Sequence, residues 1–482
     1  MRTSPPCSPA WRTSSRPTSA WTSPSTTDRT GGAAVPSVQP VPPIAADVLL
    51  VLLLQLGLLL LLALVLGRLA TRFGMPALVG ELGAGVLLGP SVLDHLAPGL
   101  AAWLLPKETA QFHLLDAVGQ FAVLLMVGIT GMSMDLSLVR RRVATAAKVS
   151  VAGLVVPLLL GVAAGLALPA TLIGPGADRT VFALFLGAAM CVSAIPVIAK
   201  TLMDMNLLHR EVGQLTLAAG MVDDVFGWLL LSVVSAMATT GLRAGDVARS
   251  LLLLVVFLVL AAVVGRRVVA AVIRVASRSP SQGTLVAAVV VLLLALAATT
   301  HAMGLEAVFG AFVCGILIGS TPSFDPARLA PVRTFVLAVL APVFFATAGL
   351  RMDLTALRDP SVLLLAIGVL LIAILGKFAG AYIGALASRM SHWEALALGA
   401  GMNARGVIEV IVAMVGLRLG VLNTVTYTVI ILVAIVTSLM APPVLKLAMA
   451  RVPERPGERA RARRVAVEAP GAAGTSTVHA DD

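Results

Sequence analysis

Two carboxylates stand side by side, Asp223 and Asp224, inside the apolar run 213–238. A helix of roughly 20 apolar residues crosses a bilayer, so this run is long enough to do so. An acid near the membrane centre costs about 3 kcal/mol even on lenient insertion scales. Two in succession need a compensating partner or a water-filled site. The chemistry such a pair offers is reversible binding of a cation and of protons. Neighbouring helical positions point about 100° apart, so the two acids cannot share one task. One can face a cavity while the other faces a neighbouring helix.

Three further charged residues fall at the same depth. At 1.5 Å of rise per residue, a residue ten positions into a helix lies about 15 Å deep, near the middle of a core about 30 Å thick. Asp223 stands in that place, counted from Gly213. Lys377 comes about eleven residues before the inner end of its run, Arg405 about thirteen residues after His392, and Glu409 one turn beyond Arg405. Shared depth points to a shared cavity. A lysine neutralises one carboxylate. Pairing favours the ionised acid and desolvation disfavours it, so the two aspartates can hold a proton with different tenacity. Glu409 also reads as the ion partner of Arg405.

Two breaks accompany these charges. Ser193-Ala194-Ile195-Pro196 interrupts one apolar run, where proline removes a backbone donor and frees a carbonyl. Met402-Asn403-Ala404-Arg405-Gly406 places an amide, a cation and a glycine at another. Broken helices at corresponding positions of two halves are the sequence pointer to a transporter's binding site.

The elements that must position these groups are helices. The chain has 482 residues, 58% of them hydrophobic and 12% charged, about half the charge of a soluble domain. Thirteen apolar segments follow Ile44: 44–67, 76–90, 110–132, 143–169, 180–203, 213–238, 250–273, 283–301, 304–320, 332–350, 361–388, 392–416 and 421–447. The fourth to sixth look like a counterpart of the eleventh to thirteenth, and the offset of seven gives the two sets opposite orientation. The second, with Gly80, Gly83, Gly85 and Gly89, allows close helix approach. An alternating barrel pattern is absent.

A net charge of +11 would suggest nucleic-acid binding in a soluble chain, but the basic residues lie between apolar runs, where they set topology. With the N-terminus outside, 22 of the 35 fall in inner loops and tail and 11 outside, while Lys377 and Arg405 lie within runs. The positive-inside rule therefore favours N-out, C-in. Residues 1–43, rich in Ser, Thr, Pro and Arg, are expected to be a disordered tail, 44–451 the membrane domain and 452–482 a disordered cytoplasmic tail. Cys191 and Cys314 read as small buried hydrophobes, and no metal-ligand spacing is present. Glu81 and Asp116 read as interfacial or packing groups. His209 and His392 lie on the inner side, where solvated loop positions are expected.

At these residues the chain resembles the monovalent cation:proton antiporter superfamily, in particular its Kef/CHX-like branch. The resemblance runs from Ile44 to Ala448 through Pro76-Ala77-Leu78-Val79-Gly80-Glu81, Ser193-Ala194-Ile195-Pro196, Val222-Asp223-Asp224-Val225, Gly304-Leu305-Glu306-Ala307-Val308-Phe309-Gly310, Phe344-Phe345-Ala346-Thr347-Ala348-Gly349, Gly376-Lys377 and Gly401-Met402-Asn403-Ala404-Arg405-Gly406-Val407-Ile408-Glu409. It implies an all-α membrane fold of about thirteen helices, inverted repeats with two crossed broken helices, and a homodimer in the plasma membrane. It implies exchange of Na+ or K+ for H+ by alternating access, without a cofactor. It implies that Asp224 binds cation or proton, that Asp223 is the neighbouring carboxylate and that Lys377 is the ion-pair partner. Ser193, Pro196, Asn403, Arg405 and Glu409 would support the breaks. Two aspartates with this lysine imply electrogenic exchange. No counterpart of the C-terminal nucleotide-binding module of Kef systems is seen, so gating by glutathione or NAD is not expected. The rival readings are a cation channel, which lacks a carbonyl-filter signature, and an organic-solute carrier on a related fold. An intramembrane enzyme fits worst, because adjacent acids do not converge as a protease dyad must.

Overall fold

The structure is a computed structural model that describes residues 44–105, 109–134, 143–205, 207–240, 244–456 and 458. The expected tail over 1–43 lies outside the described residues, as do 459–482. The described residues are almost entirely helical. In chain order the helices are α1 (Ala46–Arg72), α2 (Ala77–Leu88), α3 (Thr109–Met132), α4 (Val143–Ala167), α5 (Arg179–Cys191), α6 (Ile195–Asp204), α7 (Glu211–Thr240), α8 (Ala244–Leu260) and α9 (Arg266–Ser277). There follow α10 (Gln282–Ala302), α11 (Ala307–Gly319), α12 (Ala330–Phe335), α13 (Ala341–Leu350), α14 (Pro360–Ala387), α15 (His392–Met402), α16 (Val407–Arg418) and α17 (Thr424–Met449). A π-helical turn joins α8 to α9 and another joins α12 to α13. Short helical turns fill the loops after α2.

Among the described residues ten helices are long and apolar enough to span a membrane, eleven counting the bent pair α15–α16. The difference from thirteen has a local cause. Segment five is two half-helices, α5 and α6, separated by Val192–Ala194. Segment nine is α11, only 13 residues long, with Phe309, Phe312 and Cys314 buried inside the protein. A helix wholly enclosed by protein does not have to match the bilayer. Proline marks the first break differently from expectation. Pro196 lies in the first turn of α6, where its missing donor costs nothing, so the interruption precedes it.

The helices fall into two bundles. In one, α4 lies along α14 and α5, and α7 packs on α4, α5, α6 and α15, while α17 packs on α15 and α16. The expected pairing of α4, α5–α6 and α7 with α14, α15–α16 and α17 is thus one packed body. The other bundle joins α1 to α2, α2 to α13, α3 to α11 and α10 to α11. Here the glycines act as expected. A Cβ on Gly85 would stand 1.9 Å from the Ala346 carbonyl, and one on Gly349 would stand 2.1 Å from that of Leu82. No side chain fits between α2 and α13, so their backbones meet.

The ends of the first bundle are tied at one face. Arg455 pairs with Glu211 at 2.6 Å and Glu394 at 2.7 Å, at the starts of α7 and α15. Arg210 pairs with Glu458 at 3.2 Å, and the Glu458 side chain accepts from the Glu211 backbone. Arg455 and Glu458, in the stretch expected to begin a disordered tail, are therefore held to the bundle. His209 and His392 also have partners there, Glu454 at 3.2 Å and Tyr382 at 2.8 Å.

Candidate ion-binding site

The two breaks cross and bond to each other. The Ala194 N–H donates to the Ala404 carbonyl at 3.0 Å. The Ser193 hydroxyl lies 2.9 Å from the Met402 carbonyl and 3.1 Å from Asp223 Oδ2, so its single proton serves one or the other. The helix ends exposed by the breaks need partners, because the last carbonyls of a helix have none of their own. At the end of α5 those partners are cations. Arg405 donates to Ala189 O at 3.0 Å and Met190 O at 2.6 Å, and Lys377 Nζ donates to Cys191 O. Positive charge at a helix C-terminus also meets the negative end of its dipole. Arg405 reaches further, to Ala373 O on α14 at 3.0 Å, and pairs with Glu409 at 3.2 Å. The Ser438 hydroxyl of α17 donates to the Arg405 carbonyl.

Asp223 and Asp224, both fully buried on α7, have opposite surroundings. Asp223 forms an ion pair with Lys377 and accepts from Ser150, with the Ser193 hydroxyl also within reach. Neither oxygen of Asp224 has a hydrogen-bond partner among the described residues. The 100° between successive residues does this: one acid is turned toward α4, α5 and α14, and the other is turned away. Asn403, fully buried at the end of α15, also has both side-chain polar atoms without a partner.

The structure thus brings Asp223, Lys377 and Ser193 into contact, sets Asp224 beside them, and links Arg405 and Glu409 to the same helix end. Sequence reasoning missed Ser150 and Ser438, since a lone serine in an apolar helix carries no signal of its partner. It also read Cys191 as a mere hydrophobe; its side chain is one, but its carbonyl takes the lysine. Glu81, read as an interfacial or packing group, lines a cavity of about 500 Å³ with Thr130, Lys200, Val197 and Val407. That cavity opens between the bundles at the face holding the ends of α1 and α6, and reaches the first turns of α6 and α16. At the opposite face the bundles touch. Arg418 of α16 pairs with Glu306, just before α11, at 2.8 Å. Tyr427 of α17 donates to Ala348 O of α13 at 2.7 Å, and Thr428 accepts from the Asp353 N–H at 3.0 Å.

A body of crossed, broken helices holding buried charges at the crossing is the architecture of a secondary ion transporter. Residues 58–451 match the family described as sodium/hydrogen exchanger, transmembrane. The chain belongs to that family, among the monovalent cation:proton antiporters. It is 32% identical over 402 residues to the Na+/H+ antiporter NhaS4 of Synechocystis, covering 83% of this chain and 97% of that one. It is 30% identical to cation/H+ antiporter 18 of Arabidopsis thaliana over 82% of this chain, and spans about half the length of that plant protein, 48%. The fold is also that of the sodium proton antiporter MjNhaP1 of Methanocaldococcus jannaschii, with a TM-score of 0.61 over 83% of this chain and 99% of that one, at 18% identity.

Proposed function

We propose that this protein exchanges Na+ or K+ for protons by alternating access, with Asp224 as the carboxylate for which cation and proton compete. The observation that carries this is the contrast at one helix turn: Asp223 has an ion pair and a hydroxyl donor, while Asp224, equally buried, has no hydrogen-bond partner among the described residues. Charge accounting supports it. With all ionised, Asp223, Asp224, Glu409, Lys377 and Arg405 sum to −1. One proton or one monovalent cation brings the cluster to neutrality, which lowers the cost of moving it through a medium that penalises bare charge. The cavity on one face and the contacts between bundles on the other support a state open to one side, from which movement of one bundle past the other would expose the site to the opposite side.

The basic-residue distribution supports N-out, C-in topology, and with the plasma membrane as the protein's location the cavity faces the cytoplasm. The resemblance extends the reading to a homodimer and to electrogenic exchange, the second proton coming from the Asp223–Lys377 pair as it parts. The name of NhaS4 makes Na+ the first cation to test. Asp224→Asn keeps size and shape and removes the charge. It abolishes Na+- or K+-dependent proton flux in proteoliposomes while the protein still purifies as wild type. Undiminished exchange would overturn the assignment.

A further inference from the structure

α7 carries three more buried polar groups on the face of Asp224. Trp228, Ser232 and Ser235 follow it at four, eight and eleven positions, within an arc of about 80°. All are buried, with 1%, 0% and 4% exposure. Trp228 Nε1, Ser232 Oγ and Ser235 Oγ have no hydrogen-bond partner among the described residues. Hydroxyls in apolar helices ordinarily return their proton to a carbonyl one turn back. α7 itself shows this twice, in Thr216 to Val212 O at 2.8 Å and Thr239 to Ser235 O at 3.2 Å. Ser232 and Ser235 do not. Polar groups without partners at membrane depth are tolerated where they line water.

We propose that this stripe lines the second access route to Asp224, one that fills with water when the bundles part at the face where α7 ends. The stripe faces the seam between the bundles, for Trp228 packs on Phe312 of α11 with ring centroids 6.1 Å apart. It lies in the half of the molecule away from the cavity, where Arg418 and Glu306 hold the bundles together. Its rungs rise by about 6 Å, about 6 Å and about 4.5 Å, distances that one or two bridging waters span between polar atoms. From Asp224 to Ser235 the rise is about 16 Å, enough to run from mid-membrane to the surface. The ligand is water, and with it the protons that enter and the monovalent cation that leaves on that side. The indole N–H fixes the water next to Asp224 but cannot coordinate a cation, so cation oxygens come from the serines and the acid.

This route rests on Asp224 being the exchange site, and the test separates the two. In full-length protein with Cys7, Cys191 and Cys314 replaced by alanine, Ser232→Cys and Ser235→Cys are each exposed to a cationic, membrane-impermeant methanethiosulfonate. Sealed, oriented vesicles receive the reagent on one face at a time. Both cysteines are modified from the face at which α7 ends, and modification stops exchange. Val233→Cys, on the opposite side of α7, sets the background rate. Labelling no faster than Val233→Cys, or only from the cavity face, overturns the route. Asp224→Asn in the same background removes exchange whichever result is obtained, so its failure would strike the site and not the stripe alone. As a second reading, Trp228→Phe keeps an aromatic ring on Phe312 and deletes the N–H. The water held by the indole donates to the ionised acid, so the variant raises apparent proton affinity from that face by up to about tenfold, one hydrogen bond's worth, and leaves affinity from the cavity face unchanged. Equal effects on both faces would also overturn the proposal.

Discussion

The two breaks at the crossing share topology but not charge. The end of α5 is met by two full cations, with Arg405 on Ala189 and Met190 and Lys377 on Cys191. The end of α15 is met by neutral donors: Ser193 lies at Met402 O, and the Ala194 N–H at Ala404 O. The difference follows from where the charges are encoded. The first repeat, α4 to α7, supplies the acids Asp223 and Asp224. The second, α14 to α17, supplies Lys377, Arg405 and Glu409. Neither repeat could bury its own charges alone, since an unpaired charge in a low-dielectric interior is penalised heavily. Docked together they leave a single surplus negative charge beside α5. Two structurally related halves therefore make one site by being electrostatically unequal.

The largest way to break this asymmetry is Arg405→Ala. It uncaps Ala189, Met190 and Ala373 at once and leaves Glu409 without its partner. Loss of one member of a buried pair costs about 3–5 kcal/mol, so the variant loses most of its folded yield. Fluorescence-detected size exclusion after a heat step would measure this, and wild-type stability would remove the capping role.

Lys377→Gln is intermediate. Its amide can still serve the Cys191 carbonyl, but the ion pair to Asp223 is gone. Exchange persists, and the charge moved per cycle falls; solid-supported-membrane current normalised to cation flux checks this. An unaltered ratio would detach Lys377 from coupling.

Smallest is Ser438→Ala on α17, whose hydroxyl serves the Arg405 carbonyl at the neutral break. It removes one hydrogen bond, worth about 1 kcal/mol, and lowers thermal stability slightly without changing cation selectivity. A loss as large as that of Arg405→Ala would mean that the neutral break is as charge-dependent as the other.

Much of the architecture is legible before any coordinates. Hydropathy accumulates along the chain, so the apolar segments, the burial of Asp223 and Asp224 and the glycine contacts of α2 can be read locally. The break at 402–406 was also visible, since glycine, an amide and a cation coincide there. Segment five was placed correctly, yet its interruption falls at Val192–Ala194, before Pro196. Local rules allow a proline both in a kink and in a first turn, and only the packed structure chose. For Glu81 the sequence left an interfacial and a packing position open, because depth along one helix does not tell which side of it faces a cavity.

The sequence by itself determined that several ionisable groups lie at one depth among membrane helices, because composition and helical rise are properties of a single strand of residues. Tertiary structure alone decided that Lys377 goes to Asp223, that Arg405 closes the end of α5, and that Trp228, Ser232 and Ser235 lack partners. Those outcomes turn on ångström-scale distances between residues up to 216 positions apart in the chain, and a hydrogen bond is gone within an ångström of misplacement.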